Sequence, residues 1–127
     1  MRLLLDTQVL IWAFANPRRL SAAARDTLEN GENKVLVSLV SPWEIAIKTA
    51  LGKLPAFEDF ESQIVEKRFE LLPISFPHTA AVASLPHHHG DPFDRMLIAQ
   101  AQVEGLTLVT SDRQIRRYPV SIFPALG

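Results

Sequence analysis

The sequence contains no cysteine, which excludes a disulfide framework, a thiolate metal site and a cysteine nucleophile. It also lacks a long hydrophobic run. The longest unbroken apolar stretch, Val9 to Ala15, has seven residues, against the roughly 20 that a membrane helix needs, and Asp6 interrupts any signal-peptide pattern at the N-terminus. A cytoplasmic protein with no membrane contact is the expectation. An excess of one charge is missing too. Thirteen Lys and Arg against fourteen Asp and Glu give a formal net charge of −1, so bulk charge provides no general attraction to phosphate polymers. There is no repeat of solenoid length, and the nine prolines are scattered rather than gathered into a linker.

What is present is ordinary for a soluble globular domain: 127 residues, 47% hydrophobic and 21% charged. Residues 1–127 therefore read as one domain around one core. Arg2 to Asp6 contains three successive leucines and reads as a short buried strand. From Thr7, apolar residues at Val9, Leu10, Trp12, Ala13 and Phe14 suit a helix closed by Asn16-Pro17. Ser21 caps a second helix to about Asn30, with Gly31 beyond it, and Val35 to Val40 reads as a second buried strand. Ser41-Pro42-Trp43-Glu44 predicts the start of a helix running to Leu51, with serine as cap, proline at the first helical position and glutamate three residues on; Gly52 supplies the stop. Phe57 to Arg68 then reads as helix, Glu70 to Ile74 as strand and Pro77 to Leu85 as helix. Asp91-Pro92-Phe93-Asp94 begins a helix running to about Glu104, and Leu106 to Thr110 and Val120 to Phe123 read as the last strands. Continuous apolar strands alternating with helices predict an α/β fold, a three-layer α/β/α sandwich with a mainly parallel central sheet.

Four acids share a placement that composition does not require. Asp6 ends the first strand, Glu44 opens the helix after the second, Asp94 opens the helix before the fourth, and Asp112 lies two residues past that fourth strand. Functional sites of open parallel sheets form at the carboxyl ends of the strands. Asp6, Glu44 and Asp112 reach that edge together, whereas spacing alone does not bring Asp94 there. Each acid also has a structural explanation: a cap for Asp6, a capping box or a pair with Lys48 for Glu44, helix-dipole complementation for Asp94 and a turn for Asp112. Taken jointly, clustered carboxylates cannot all stay ionised at neutral pH without a cation or shifted pKa values. Oxygen ligands select hard ions such as Mg2+ or Mn2+, and such a site suits phosphodiester hydrolysis. Thr7, Thr110 and Ser111 are candidates to orient the acids, with cap and turn chemistry as the alternative.

Leu4-Leu5-Asp6-Thr7, Ser41-Pro42-Trp43-Glu44-Ile45, the run from Asp91 to Ala101, and Leu108-Val109-Thr110-Ser111-Asp112 occur in this order along the chain. Together they resemble the successive motifs of PIN-domain ribonucleases, and most of all the VapC-type toxins of toxin–antitoxin pairs. The resemblance spans essentially the whole chain. It implies a metal-dependent endoribonuclease that uses Mg2+ or Mn2+ on RNA, with Asp6, Glu44, Asp94 and Asp112 converging as the metal-binding and catalytic acids. It further implies a homodimer and a cognate antitoxin that wraps the toxin and sends an arginine into the acidic pocket. The position two after Asp6, often asparagine or histidine in such proteins, is Gln8 here.

Two other readings compete on residues alone. An aspartate ending the first strand can be a phosphate acceptor, as in phosphoryl-transfer or receiver domains, although Gln8 stands where a dehalogenase-like second aspartate would be. Alternatively, the acids only cap helices in a non-catalytic binding module. His87, His88 and His89 read as a surface loop, with an RNA contact or a proton shuttle beside Asp94 as the second possibility. Arg95, Arg113, Arg116 and Arg117 are either phosphate guides or solvated and helix-end side chains, and five acids fall between Glu58 and Glu70. Trp12, Phe14 and Leu20 are candidates for an exposed antitoxin-binding surface, against burial in the core.

Overall fold

The computed structural model describes residues 1–57 and 59–126, so Glu58 lies outside the described residues. In chain order the elements are β1 (Arg2–Leu5), α1 (Thr7–Ala15), α2 (Ala22–Glu29), β2 (Lys34–Ser38), α3 (Val40–Ala50), α4 (Phe60–Glu66), β3 (Glu70–Leu72), α5 (Phe76–Ala83), α6 (Pro92–Glu104), β4 (Thr107–Thr110) and β5 (Ile122–Pro124). Short 3-10 turns occupy Pro17–Arg19 and Ile115–Arg117. The strands form one sheet in the order β3-β2-β1-β4-β5, and every neighbouring pair is parallel.

The leucine run makes β1 the central strand, because its side chains alternate between two cores. Leu3 and Leu5 pack with Val9, Leu10, Val37 and Ile64 on one face, while Leu4 packs with Leu36, Leu97, Ile98 and Leu108 on the other. Helices α1, α2 and α4 thus cover one face and α5 and α6 the other, giving the three-layer sandwich expected from the alternation. Helix α3 touches both α1 and α6. From β1 the chain steps to β2 and β3 on one side, then returns to β4 on the other. The switch in direction opens a crevice at the carboxyl ends of β1 and β4.

Several boundaries differ from the sequence reading for local reasons. Strand β2 stops at Ser38 rather than Val40, because Ser38 Oγ accepts the Val40 N–H at 3.0 Å and turns the chain into α3. Ser41 therefore sits inside the first turn instead of capping it, and the expected Ser41–Glu44 capping box is not formed. Helix α4 begins at Phe60 rather than Phe57, since Asp59 takes a left-handed conformation (φ 55), and ends before Arg68 (φ 59). Strand β3 stops at Leu72, before Pro73. Strand β5 lies later than Val120 to Phe123 and includes Pro124, tolerated because β5 is an edge strand. Leu20 is buried, and Trp12 and Phe14 are half-buried against the same core. Among the described residues, no helix is long and apolar enough to cross a membrane.

Candidate active site

A cleft of ≈ 260 Å³ occupies the crevice, and Asp6, Glu44, Asp94 and Asp112 all line it, together with Gln8, Lys48 and Asp91. The structure therefore brings together all four acids singled out in the sequence, including Asp94, which spacing had left unplaced.

Asp6 follows directly from β1 and serves as the N-cap of α1, its Oδ1 accepting the Gln8 N–H at 2.7 Å. The capping role and the cleft position coexist, because the other oxygen, Oδ2, accepts the Thr110 hydroxyl at 2.6 Å. Thr110 Oγ1 in turn accepts the Asp112 N–H at 3.0 Å, so one buried hydroxyl at the end of β4 ties two of the acids together. Thr7 bonds Ser41 instead of an acid: their hydroxyls meet at 2.9 Å in the interior and pin the start of α1 to that of α3. That contact sets Asp6 beside Glu44.

Glu44 is only 5% exposed. Its Oε2 takes a 2.6 Å ion pair from Lys48, one turn along α3, while its Oε1 is buried without a hydrogen-bond partner among the described residues. Asp91 acts as the expected cap of α6, its Oδ1 accepting from the N–H groups of Phe93 at 2.8 Å and Asp94 at 3.2 Å. Asp94 projects one turn further in. Gly105, in the left-handed region at φ 66, closes the helix at its far end. Asp112 holds its own turn through Oδ1, which accepts the Gln114 N–H at 2.8 Å.

The carboxylates strain one another electrostatically. Burial, followed by the charges of Asp6 and Asp91, pushes Asp94 up to about 7, with His89 opposing and Glu44 adding to the rise. Asp6 is raised chiefly by burial and further by Glu44 and Asp112, against the lowering effect of the Thr110 and Gln8 hydrogen bonds. Lys48 is raised by its bond to Glu44. A set of oxygen donors short of positive charge, with one buried carboxylate oxygen unpartnered, fits a hard divalent cation.

From the sequence, His87, His88 and His89 read first as a surface loop and second as the source of a group beside Asp94, with nothing to say which histidine; the structure divides them. His87 and His88 are exposed, but His89 turns inward, its Nε2 lying 3.0 Å from Asp112 Oδ2 and 2.9 Å from Asp94 Oδ2. Three adjacent histidines carry no periodicity that distinguishes one from the next. Arg95, a candidate phosphate guide by sequence, is engaged elsewhere. Its guanidinium donates to the carbonyls of Val82, Leu85 and Pro86 at the end of α5, the helix-end alternative. Arg113, Arg116 and Arg117 are exposed beyond Asp112.

A family model described as PIN domain matches residues 3–120. The chain is 30% identical to Ribonuclease VapC22 of Mycobacterium tuberculosis, an alignment covering 94% of this chain and 97% of the relative. It is also similar in structure to VapBC2 from Rickettsia felis, solved bound to a DNA fragment from its promoter, with a TM-score of 0.74, 20% identity and 98% of each chain covered. DNA-bound VapBC from Salmonella typhimurium gives a TM-score of 0.73, again at 20% identity over 98% of each chain.

Proposed function

The chain belongs to the PIN-domain family, and from that premise we propose that it is a divalent-cation-dependent endoribonuclease, the toxin of a toxin–antitoxin pair. The carrying observation is the convergence of Asp6, Glu44, Asp94 and Asp112 on one cleft in a chain 30% identical to a VapC ribonuclease. These four residues would hold Mg2+ or Mn2+. When bound, the ion supplies activation of water and neutralisation of the charge that develops at phosphorus.

The protein's own part is to pre-organise the donors. Thr110 and the Gln8 N–H hold both oxygens of Asp6, and this orientation suits a ligand better than a phosphate-accepting nucleophile. Lys48 neutralises one oxygen of Glu44 and leaves the other for the ion. Asp91 fixes the start of α6, which sets where Asp94 enters the cleft. Exposed Arg113, Arg116 and Arg117, following Asp112 on the same segment, are suited to attract RNA phosphates toward the acids.

The toxin reading extends to partners. A second cleft of ≈ 290 Å³, lined by Ala13, Leu20, Leu28 and Phe69 with Arg25 and Lys67 among its polar groups, lies on the α1–α2 face and suits an apolar antitoxin segment. VapBC complexes among the similar structures support such a partner. A homodimer, a cytoplasmic setting and a single catalytic domain over residues 1–127 complete the proposal.

The test is cleavage of a mixed RNA substrate by the purified protein with Mn2+, with EDTA, and by Asp6→Asn. Asparagine still accepts the Gln8 N–H, so folding is preserved while a charged donor is lost. Cleavage should vanish with EDTA and fall at least about 100-fold in the variant. Activity that survives both treatments would overturn the reading.

A further inference from the structure

His89 stands apart from the four carboxylates, and the fold holds it firmly. Its Nδ1 accepts the backbone N–H of Asp91 at 3.3 Å, which leaves the proton of the neutral ring on Nε2. That N–H donates to Asp112 Oδ2 at 3.0 Å, beside Asp94 Oδ2. A metal-ligating histidine shows the reverse pattern, in which the distal nitrogen donates and the proximal lone pair faces the ion.

The loop carrying the ring hangs on one phenol. Tyr118, 3% exposed, accepts the N–H groups of His88 at 3.1 Å and His89 at 2.9 Å. Arg95 donates to the same oxygen at 3.3 Å while its other bonds close the end of α5. Arg95 neighbours Asp94 on α6, so one helix carries both a cleft acid and a donor to the phenol that anchors the His89 loop. Asp112 needs such support. Its side chain is 31% exposed, and apart from His89 it is held, among the described residues, only by its own turn.

We infer that His89 is a positioning residue of the acidic cleft, which holds the Asp112 carboxylate toward Asp94 by donating its Nε2–H and does not itself ligate the cation. The inference rests on the proposed function in one respect, that these carboxylates are the cation's ligands. A donor shared between two neighbouring acids offsets their repulsion and limits the rotation of Asp112 toward solvent, so the ion meets a site already arranged.

The experiment uses Mn2+ alone as probe, on protein labelled with 15N-histidine and on His89→Ala and His89→Gln, each checked for folding by melting. Pulsed electron paramagnetic resonance should show bound Mn2+ without a directly coordinated imidazole nitrogen. Titration should give a Kd about 10-fold weaker for His89→Ala. His89→Gln, whose amide can donate from nearly the same place, should recover most of that loss. A coordinated 15N signal, unchanged or tighter binding in His89→Ala, or a glutamine variant as weak as alanine would each overturn the positioning role. Failure of the wild type to bind Mn2+ at all would instead overturn the carboxylate site of the proposed function, and this inference with it.

Discussion

Asp91 and Asp94 lie three residues apart on one helix end and face opposite demands. Asp91 Oδ1 accepts two backbone N–H bonds, a task that asparagine performs about as well as aspartate. Asp94 offers a charge to the cleft, and asparagine cannot replace that. Asp91→Asn is therefore expected to retain cleavage within a few-fold, whereas Asp94→Asn should lose most of it, at least about 100-fold, at saturating Mn2+. Single-turnover RNA cleavage with folding verified by melting makes the comparison. An inactive Asp91→Asn beside an active Asp94→Asn would move the proposed ligand by one helical turn.

Between elements, the acids that follow the paired strands β1 and β4 share a single hydroxyl. Thr110 Oγ1 donates to Asp6 Oδ2 and accepts from the Asp112 backbone, so it couples the ends of both strands flanking the crevice. Replacing it with valine keeps the β-branched shape but leaves a buried carboxylate oxygen and an N–H without their partner. Thr110→Val should lose roughly 1–3 kcal/mol of stability, read by denaturant unfolding. It should also weaken Mn2+ binding about 10-fold, measured by calorimetric titration. Unchanged Mn2+ affinity would show that the strand ends hold their acids without this link.

The whole molecule carries the electrostatic cost of gathering the acids. Asp94 is raised to about 7 in the folded chain, against about 3.9 for an unfolded aspartate. The folded state thus retains a proton that the unfolded state releases. Its stability contribution is greatest below about pH 4 and is lost as pH rises from there through 7. Asp6, shifted in the same direction by burial, adds to the trend. Metal-free protein should therefore melt lower at pH 8 than at pH 5.5, by at least about 4 °C, and Asp94→Asn should flatten that slope. Differential scanning calorimetry in EDTA supplies the measurement, and equal slopes in wild type and variant would remove Asp94 as its source.

The sequence by itself determined the elements whose signals lie within a few residues. The leucine run of β1, the Ser21 cap of α2 and the Asp91-Pro92 start and Gly105 stop of α6 were all legible, because capping, proline geometry and strand burial are local chemistry. The alternation of strands and helices also predicted the parallel three-layer fold. The acids were named from the sequence, yet from the residues alone only Asp6, Glu44 and Asp112 were placed at one edge. Asp94 was not, since α5 and α6 follow each other without a strand between them, and alternation then assigns α6 no direction. The start of α3 was misread for a related reason: Ser41 fits a cap by type, but its hydroxyl is drawn to Thr7, 34 residues away. His89 was decided entirely by tertiary structure. The two residues before it are chemically identical. Tyr118 holds the loop through both His88 and His89, and what sets His89 apart is that its ring meets Asp112, 23 residues further on, and accepts the Asp91 N–H, while His87 and His88 stay exposed. Contacts of that kind arise only when the sheet and its helices have packed, because they depend on which distant groups the topology brings within hydrogen-bond reach.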